Sequence, residues 1–252
     1  MEKVALVTGV RRIGQRIAFE LLKSGYDLSI VYRSSEDSVK EVLKEGDRRG
    51  RRVLAIRADL GDPQSYERVV KETVNSLSRI DAFLHLASPY RRTPIEELTR
   101  GDLYEHFTPI AEAFLFLSKL CYREMLRNEG EIKGRIVAFG DWAVEHTPYR
   151  GYSSYFIAKG ALHTAVKVLA KEFAPHVLVN GIAPGPVMKP EDMDSGSWKR
   201  ILSKTPLKRE VSLRDVLSIT LFFLTTESVT GEIVKVDSGR HLAGSGLGSV
   251  EG

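Results

Sequence analysis

The sequence predicts an α/β fold built on a parallel sheet with helices on both faces. Short apolar runs rich in β-branched residues alternate with longer runs of helical periodicity along the chain. The apolar runs lack the polar alternation of half-exposed strands, which is typical of strands buried on both faces. Because strand–helix–strand alternation joins parallel strands by right-handed crossovers, we expect a layered α/β domain.

Each strand is predicted from an apolar run bounded by turn residues or by a charged segment. The first run, for example, ends at Gly9, and the fifth ends at Gly140. The predicted strands are Lys3–Thr8, Asp27–Tyr32, Val53–Ala58, Ala82–Ala87, Arg135–Gly140, Val177–Ile182 and Glu232–Val236.

Between these strands, apolar residues recur at spacings of three and four, which indicates helices that pack one face on the sheet. The predicted helices are Ile13–Ser24, Glu36–Arg49, Pro63–Leu77, Leu103–Arg127, Ser153–Phe173 and Leu213–Thr225. The chain shows no repeat, linker or change of composition. We therefore predict one domain over residues 1–243 and a flexible Gly-rich tail over residues 244–252.

The distribution of charge argues against a nucleic-acid partner. Charged residues make up 28% of the 252 residues, and the formal net charge is only +4. Arginine pairs are scattered among acidic residues and form no basic stripe. These pairs are Arg11-Arg12, Arg48-Arg49, Arg51-Arg52 and Arg91-Arg92.

The cysteine, histidine and hydropathy patterns exclude further classes. Cys121 is the single cysteine and, lying in an apolar helical pattern, is expected to be a buried, inert thiol. His85, His106, His146 and His163 do not have the spacing of a metal site. No run approaches the roughly 18 apolar residues that a membrane span needs, and the first run reads as a core strand. We expect a cytoplasmic protein with neither a metal nor a membrane partner.

A glycine turn joins the first predicted strand to the first predicted helix, in the segment Thr8-Gly9-Val10-Arg11-Arg12-Ile13-Gly14. Gly9 permits a tight turn, and Gly14 lets the helix start close to the sheet. Free N–H groups at the start of that helix then face a pyrophosphate. Tight turns need glycine in any case, but this position in an alternating chain favours a dinucleotide site.

The end of the second strand bears on the choice of cofactor. An acidic residue there would bind a ribose diol, whereas this strand ends in Tyr32-Arg33-Ser34-Ser35. A cation followed by two hydroxyls suits the 2′-phosphate of NADP(H) over NAD(H), and Arg11 and Arg12 add positive potential. The alternative is that Arg33 is a plain surface residue. Asp59 follows the third strand, where it would accept from an adenine amino group or cap a helix.

Tyr155 and Lys159 are placed at i and i+4 on the same face of a predicted helix. A free tyrosine, with a pKa near 10, is a poor acid–base catalyst at neutral pH, and an adjacent cation favours its phenolate. The pair follows a strand that ends in Phe139-Gly140-Asp141 and precedes the segment Asn180-Gly181-Ile182-Ala183-Pro184-Gly185.

With these motifs together, the sequence resembles the short-chain dehydrogenase/reductase family over nearly its whole length. The matching elements are Thr8-Gly9…Gly14, Asp59, Tyr155…Lys159, Asn180…Pro184-Gly185 and Asp237-Ser238-Gly239. The resemblance implies a doubly wound, seven-stranded Rossmann-type sheet, a small-molecule substrate and a homo-oligomer, usually a tetramer, with a dimer as the alternative. It implies Tyr155 as general acid and Lys159 as the residue that binds the nicotinamide ribose and lowers the tyrosine pKa. It also implies cofactor contacts at Ile13, Leu60, Ala87, Ser88, Pro184, Gly185 and Val187.

Several details are similar to the pteridine reductase and dihydromonapterin reductase branch. Asp141 stands where most of the family has a catalytic serine, and Arg12 replaces the middle glycine of the turn. Tyr90, in Ala87-Ser88-Pro89-Tyr90, matches the aromatic residue that sandwiches a pterin. The resemblance implies that substrate contacts come from Arg12, Ser88, Tyr90, Asp141, Trp142 and Tyr155. The alternatives are that Tyr90 only closes the pocket and that Asp141 only anchors a loop.

The chain also departs from the family pattern. The glycine loop is one residue shorter, and Thr108-Pro109-Ile110 stands where the family has a proton-relay asparagine. Three hypotheses follow. The first is an NADPH-dependent reductase of a pterin-like or other flat cyclic substrate. The second is a general carbonyl reductase for a 3-oxoacyl thioester, sugar or steroid-like ketone. The third is a nucleotide-binding sensor or scaffold without chemistry.

Overall fold

Seven parallel strands form one sheet in the computed structural model of the chain, which describes residues 2–190 and 193–243. They are β1 (Val4–Thr8), β2 (Asp27–Tyr32), β3 (Val53–Arg57), β4 (Ala82–His85), β5 (Gly134–Phe139), β6 (Val177–Pro184) and β7 (Ile233–Val236). Their order in the sheet is β3-β2-β1-β4-β5-β6-β7. The predicted doubly wound parallel sheet is confirmed. The tail predicted over residues 244–252 lies outside the described residues.

Eight α-helices occur in the described part of the chain. They are α1 (Ile13–Lys23), α2 (Glu36–Arg49), α3 (Ser65–Leu77), α4 (Arg100–Phe107), α5 (Ala113–Met125), α6 (Ser153–Phe173), α7 (Ser195–Ser203) and α8 (Leu213–Thr225). Short 3₁₀ turns cover Ile95–Glu97 and Arg240–Leu242. The predicted bounds of α2, α6 and α8 are confirmed, whereas α7 was not predicted. Within the described ranges, no helix combines the length and apolar character that crossing a bilayer requires.

The two cores lie on opposite faces of the sheet because side chains along a strand alternate in direction. On β1, Leu6 belongs to the core that includes residues of α3, α5 and α6. Its neighbours Ala5 and Val7 belong to the core that includes residues of α1, α2 and α8. All three are fully buried, so this part of β1 carries apolar side chains on both faces of the sheet.

The predicted single helix Leu103–Arg127 is wrong, because a π-helical turn at Thr108–Glu112 separates α4 from α5. Pro109 has no N–H with which to continue the α-helical ladder. The N–H of Ala113 instead donates to the carbonyl of Thr108, five residues earlier. The wider turn leaves carbonyl groups available to other partners.

His85, the last residue of β4, binds those carbonyls. Its Nε2 lies 3.1 Å from the carbonyl oxygens of both Pro109 and Ile110, and its Nδ1 lies 2.9 Å from the hydroxyl of Thr8. The ring therefore connects β1, β4 and the π turn. Burial, with the Lys159 charge as a second cause, lowers the pKa of His85 to about 3, so the folded protein holds it neutral at physiological pH.

We predict that His85→Gln flattens the pH dependence of stability on the acid side. Because the folded pKa of His85 lies below its ordinary value of 6.5, its contribution to stability is present above about 6.5 and is lost as the pH falls towards 3. Unfolding there takes up one proton, which lowers the free energy of unfolding by about 1.4 kcal/mol per pH unit.

The measurement is urea unfolding of both proteins between pH 6.5 and 4, with His176→Gln as the control for loss of a histidine. As the pH falls, the free energy of unfolding of the wild type should decrease more steeply than that of His85→Gln, by up to about 1.4 kcal/mol per pH unit, which corresponds to one proton. The control should follow the wild type. Parallel curves for wild type and His85→Gln would show that His85 is not held neutral.

Candidate active site

The candidate active site is a cleft of about 620 Å³ at the carboxyl edge of the sheet, beside the switch point between β1 and β4. Ligands of open α/β sheets bind at this place, and the volume is in the ordinary range for small-molecule sites. The predicted site residues that line it are Gly9, Arg11, Arg12, Ile13, Gly14, Ser88, Tyr90, Asp141, Trp142, Tyr155, Lys159, Pro184, Gly185 and Val187.

The glycine turn lies against the backbone of the neighbouring strand end. Gly9 has φ +80°, and a Cβ there would lie 2.7 Å from the backbone nitrogen of Ala87. A Cβ at Gly14 would lie 1.9 Å from the carbonyl oxygen of Gly9. Both positions therefore require glycine. These close contacts bring the N-terminus of α1 to the cleft.

Arg12 fixes the opposite side of the cleft to this turn. Its guanidinium donates to the carbonyl oxygens of Met188 at 2.6 Å and Lys189 at 3.3 Å, in the segment after β6. Its φ of 55° is unusual for a residue with a side chain. Arg12 thus accepts a strained backbone and holds two walls of the cleft together.

Asp141, Tyr155 and Lys159 form the polar centre of the cleft. The Tyr155 hydroxyl donates to Oδ2 of Asp141 at 2.8 Å, and Oδ1 accepts from the N–H of Ala143 at 2.8 Å. Lys159, only 3% exposed, donates from Nζ to the carbonyl oxygen of Phe139 at 2.6 Å. The i, i+4 spacing predicted for α6 therefore does bring both side chains to the end of β5.

The pKa values in this group correct one expectation. Burial and then the Asp141 charge raise the pKa of Tyr155 well above 10, and Lys159 is not among the causes of the shift. Burial lowers the pKa of Lys159 to about 8, and burial also raises the pKa of Asp141. The predicted lowering of the tyrosine pKa is therefore not found. Tyr155 is held as a protonated phenol, because a phenolate would be buried beside a carboxylate.

Aromatic rings form the mouth of the cleft. Tyr90 is 54% exposed, stacks on Tyr152 at 4.6 Å between ring centroids, and meets the ring of Tyr155 edge-on at 5.0 Å. Its hydroxyl shares a 2.9 Å hydrogen bond with the hydroxyl of Tyr149. Trp142 carries the guanidinium of Arg240 over its ring at 5.2 Å. The mouth therefore offers flat, apolar faces close to the Tyr155 hydroxyl.

A second group of predicted cofactor residues lies beside this cleft and not in its lining. Arg33 is exposed and pairs with Asp59 at 3.7 Å, at the adjacent ends of β2 and β3. Asp59 does not cap a helix: its Oδ1 accepts from the N–H of Gly61, and α3 begins only at Ser65. Ser34 and Ser35 follow Arg33 at the start of α2.

Two further predicted contacts concern the backbone. The side chain of Leu60 is buried in the core, and its carbonyl accepts from the Tyr66 hydroxyl at 3.1 Å. Leu60 is not part of the cleft lining, and the cofactor contact predicted at this residue stays a prediction. Ala87 presents its backbone to Gly9, as described above, and its amide lies 3.4 Å from the Thr8 hydroxyl.

Sequence reasoning missed the wall that follows β6. The residues of this wall are Pro186, Met188, Pro190, Met193, Trp198, Ile201 and Lys204. Leu86, Phe139, Gly140 and Arg240, which were not predicted either, line the cleft from other segments. A signal for α7 was present. Asp194 caps it by accepting from the N–H of Ser197, and Trp198 and Ile201 have the spacing of one helix face.

Other motif residues hold the strand ends together. Asn180 accepts from the N–H of Glu232 and donates to the carbonyl of Val229, which joins β6 to the start of β7. A Cβ at Gly185 would lie 2.7 Å from the Cα of Asp237. These residues support the cleft by packing and hydrogen bonding.

A dinucleotide-type sheet, a glycine turn at its switch point and a buried tyrosine–lysine pair define an NAD(P)-dependent oxidoreductase. A family model described as enoyl-(acyl carrier protein) reductase matches residues 8–241. The chain belongs to the short-chain dehydrogenase/reductase family.

Known proteins similar to this chain span nearly its full length. The uncharacterized oxidoreductase YohF of Escherichia coli strain K12 is 28% identical over 96% of this chain and 97% of its own. A dihydromonapterin reductase of Escherichia coli O6:K15:H31 is 26% identical over 95% and 96%. The crystal structure of FolM alternative dihydrofolate reductase 1 from Brucella canis, complexed with NADP, has a TM-score of 0.87 and 28% identity over 99% and 98%.

We predict that two substitutions of Arg12 distinguish the role of its guanidinium, which anchors the segment after β6, from the strain of its backbone. Arg12→Gly and Arg12→Ala both remove the guanidinium, so the amides of Val187, Met188 and Lys189 should exchange hydrogen faster in both variants. Only glycine accepts a φ of 55° freely. Arg12→Gly should therefore be more stable to urea than Arg12→Ala by about 1 kcal/mol.

Hydrogen exchange by mass spectrometry and urea unfolding measure the two effects. Exchange at those three amides that is unchanged in both variants would contradict the anchoring role of the guanidinium.

Proposed function

We propose that the protein is an NADPH-dependent reductase of a pterin-like or other flat cyclic substrate with a C=N or C=O group. The observation that carries this proposal is the Asp141 carboxylate, hydrogen-bonded to Tyr155 at the end of β5. A carboxylate there accepts from the amino and ring N–H groups of a flat heterocycle, which a serine hydroxyl does less strongly. The names of the dihydromonapterin reductase and FolM relatives agree with this substrate class.

The residues of the cleft fit a nicotinamide dinucleotide. Such a cofactor supplies a hydride when it is bound. The N-terminus of α1 would hold its pyrophosphate, and Gly9 and Gly14 let the turn lie close enough to the neighbouring backbone for this. Lys159 and Tyr155 would hold the nicotinamide ribose, with Pro184, Gly185 and Val187 beside the ring, as the family resemblance implies. Ile13 and Ser88 complete the lining.

The proton required by the substrate comes from the Tyr155 hydroxyl. This hydroxyl carries a firmly held proton, since burial and Asp141 raise its pKa. A substrate atom that gains negative charge after hydride transfer becomes the better acceptor. Lys159, a buried cation one turn away on α6, stabilises negative charge at this point, and Asp141 orients both the phenol and the substrate.

Tyr90 and Trp142 favour a flat substrate. Both rings line the cleft, and the centroid of the Tyr90 ring lies 5.0 Å from that of Tyr155. A heterocycle that slides between Tyr90 and a nicotinamide ring gains stacking energy of about 0.5–1.5 kcal/mol beyond the burial of its area. This supports the proposed sandwich over a role in closing the pocket alone.

For the cofactor, we propose NADP(H) over NAD(H). Arg33 lies at the end of β2, where a 2′-phosphate is expected, with Ser34 and Ser35 next in the chain. Its pairing with Asp59 is long and exposed, so that it can be exchanged for a phosphate at little cost. The FolM neighbour, which is complexed with NADP, agrees with this preference.

We also propose a homo-oligomer that works in the cytoplasm. Large apolar side chains are exposed on two neighbouring helices, Leu115 and Phe116 on α5 and Ile157 and Val168 on α6. Exposed apolar surface on neighbouring elements favours association between copies.

We predict that the wild-type enzyme oxidises NADPH in the presence of dihydrobiopterin and that Tyr155→Phe lowers kcat by at least about 100-fold. The variant should still bind NADPH, with a Kd within about tenfold of wild type, because it loses one hydrogen bond to the nicotinamide ribose. Tyr104→Phe, at an exposed tyrosine of α4, is the matched control and should keep wild-type activity.

The comparison substrate is an acetoacetyl thioester, which distinguishes the carbonyl-reductase hypothesis from the pterin-reductase proposal. Turnover of the thioester without turnover of the pterin would reject the pterin proposal. Asp141→Ser should then improve thioester reduction, whereas it should impair pterin reduction if the proposal holds. Tight NADPH binding with no reduction of either substrate would support a sensor.

We predict that Arg33→Asp shifts the ratio of kcat/KM for NADPH to that for NADH by about 10- to 100-fold towards NADH. The reason is the loss of a charge-assisted hydrogen bond and the gain of a repulsive carboxylate. Lys44→Asp, an exposed charge reversal on α2, is the control for altered net charge. If this ratio of kcat/KM values is unchanged in Arg33→Asp, Arg33 does not bind the 2′-phosphate and is a plain surface residue.

A further inference from the structure

A third residue of α6 faces the end of β5 together with the tyrosine–lysine pair. Tyr155, Lys159 and His163 follow one another at intervals of four and therefore share one helix face. His163 is only 5% exposed, although no step proposed above uses it. Because buried polar atoms usually have hydrogen-bond partners, the partners of its two ring nitrogens indicate what a buried imidazole does.

The Nε2 atom of His163 accepts from the backbone N–H of Asp141 at 3.3 Å. The ring lies so close to the chain that a Cβ on Gly140 would be 2.1 Å from Nε2. Glycine before Asp141 therefore makes room for the imidazole. This hydrogen bond is longer than the usual distance of about 2.9–3.0 Å, but its direction is fixed, since a backbone N–H can only donate.

The other nitrogen faces a carboxylate. Because Nε2 accepts, the proton of the neutral ring is on Nδ1, which lies 3.7 Å from Oε1 of Glu145. Oε2 of Glu145 is held by the ammonium of Lys235, on β7, at 2.6 Å. Glu145 thus favours the tautomer that leaves Nε2 free to accept.

We propose that His163 is a positioning residue that sets the Asp141 carboxylate through the Asp141 backbone, and that Glu145 selects its tautomer. The inference rests on the proposed catalytic roles of Asp141 and Tyr155, and it holds for either substrate class. A second device, the contact from the Asp141 carboxylate to Ala143, acts on the same residue from the other side. With the backbone held by His163 and Oδ1 held by Ala143, Oδ2 is the oxygen that accepts from Tyr155.

The tautomer is tested first, without any activity measurement. In protein labelled with ¹⁵N-histidine, long-range ¹H–¹⁵N spectra at pH 7 should show His163 with its proton on Nδ1; the His163→Gln spectrum assigns the signal. In Glu145→Ala the Nε2-protonated form should gain population. A wild-type ring that is protonated on Nε2 would overturn the proposal, whatever the substrate is.

The kinetic test compares His163→Leu with His163→Gln. Leucine fills the space without an acceptor, whereas the glutamine oxygen can replace Nε2 as acceptor. His163→Leu should lower kcat by about 10- to 100-fold, as expected for a displaced catalytic group, while the Kd for NADPH changes by less than about twofold. His163→Gln should recover kcat to within about fivefold of wild type. His176→Leu is the control for removal of a histidine.

Wild-type kcat in His163→Leu, or an equal loss in the leucine and glutamine variants, would overturn the positioning role. If His163→Leu does not fold, Glu145→Ala replaces it, since Glu145 is partly exposed. It should lower kcat by about threefold or more with an unchanged Kd for NADPH, and no change in kcat would count against the proposal. Absence of turnover in the wild type would reject the proposed function and leave the tautomer result standing.

Discussion

The buried ammonium of Lys159 is the constraint on which the arrangement of the cleft depends. An ammonium with 3% exposure loses most of its hydration, and it needs an acceptor and a nearby negative charge in return. The carbonyl of Phe139 supplies the acceptor, and the Asp141 charge opposes the lowering of the lysine pKa. Both lie at the point where β5 ends. The end of that strand is therefore fixed by electrostatics as much as by sheet hydrogen bonds.

This constraint explains why the tyrosine proton is held tightly. Asp141 lies close enough to Lys159 for its charge to act on the lysine pKa, and the Tyr155 hydroxyl donates to its carboxylate. A low tyrosine pKa in the absence of cofactor would put two negative charges side by side. The arrangement instead keeps the phenol protonated.

Those parts of the fold and site that depend on local spacing could be predicted from the sequence. The seven strands, the i, i+4 pair on α6 and the glycine turn each follow from residues close together in the chain, although β4 ends two residues before its predicted end and β6 two residues after. Contacts between distant segments could not be predicted in this way. Arg12 reaches carbonyls 176 and 177 residues further on, and His85 completes a π turn 24 residues later. Pro109 indicates a break in the helix. Nothing near it in the sequence indicates that His85 binds the carbonyl groups that this break leaves without an α-helical partner.

The direction of the Tyr155 pKa shift also separates what local spacing predicts from what the folded surroundings decide. Spacing places a cation one turn from the phenol, and from spacing alone the cation should lower the pKa. Burial and Asp141 have the larger effect, because the low polarity of the packed site penalises the phenolate and Asp141 repels it. The ammonium hydrogen-bonds to Phe139 and lies 5.8 Å from the tyrosine ring centroid. A sequence motif thus fixes which groups meet, while the polarity of their surroundings decides the protonation state in which they meet.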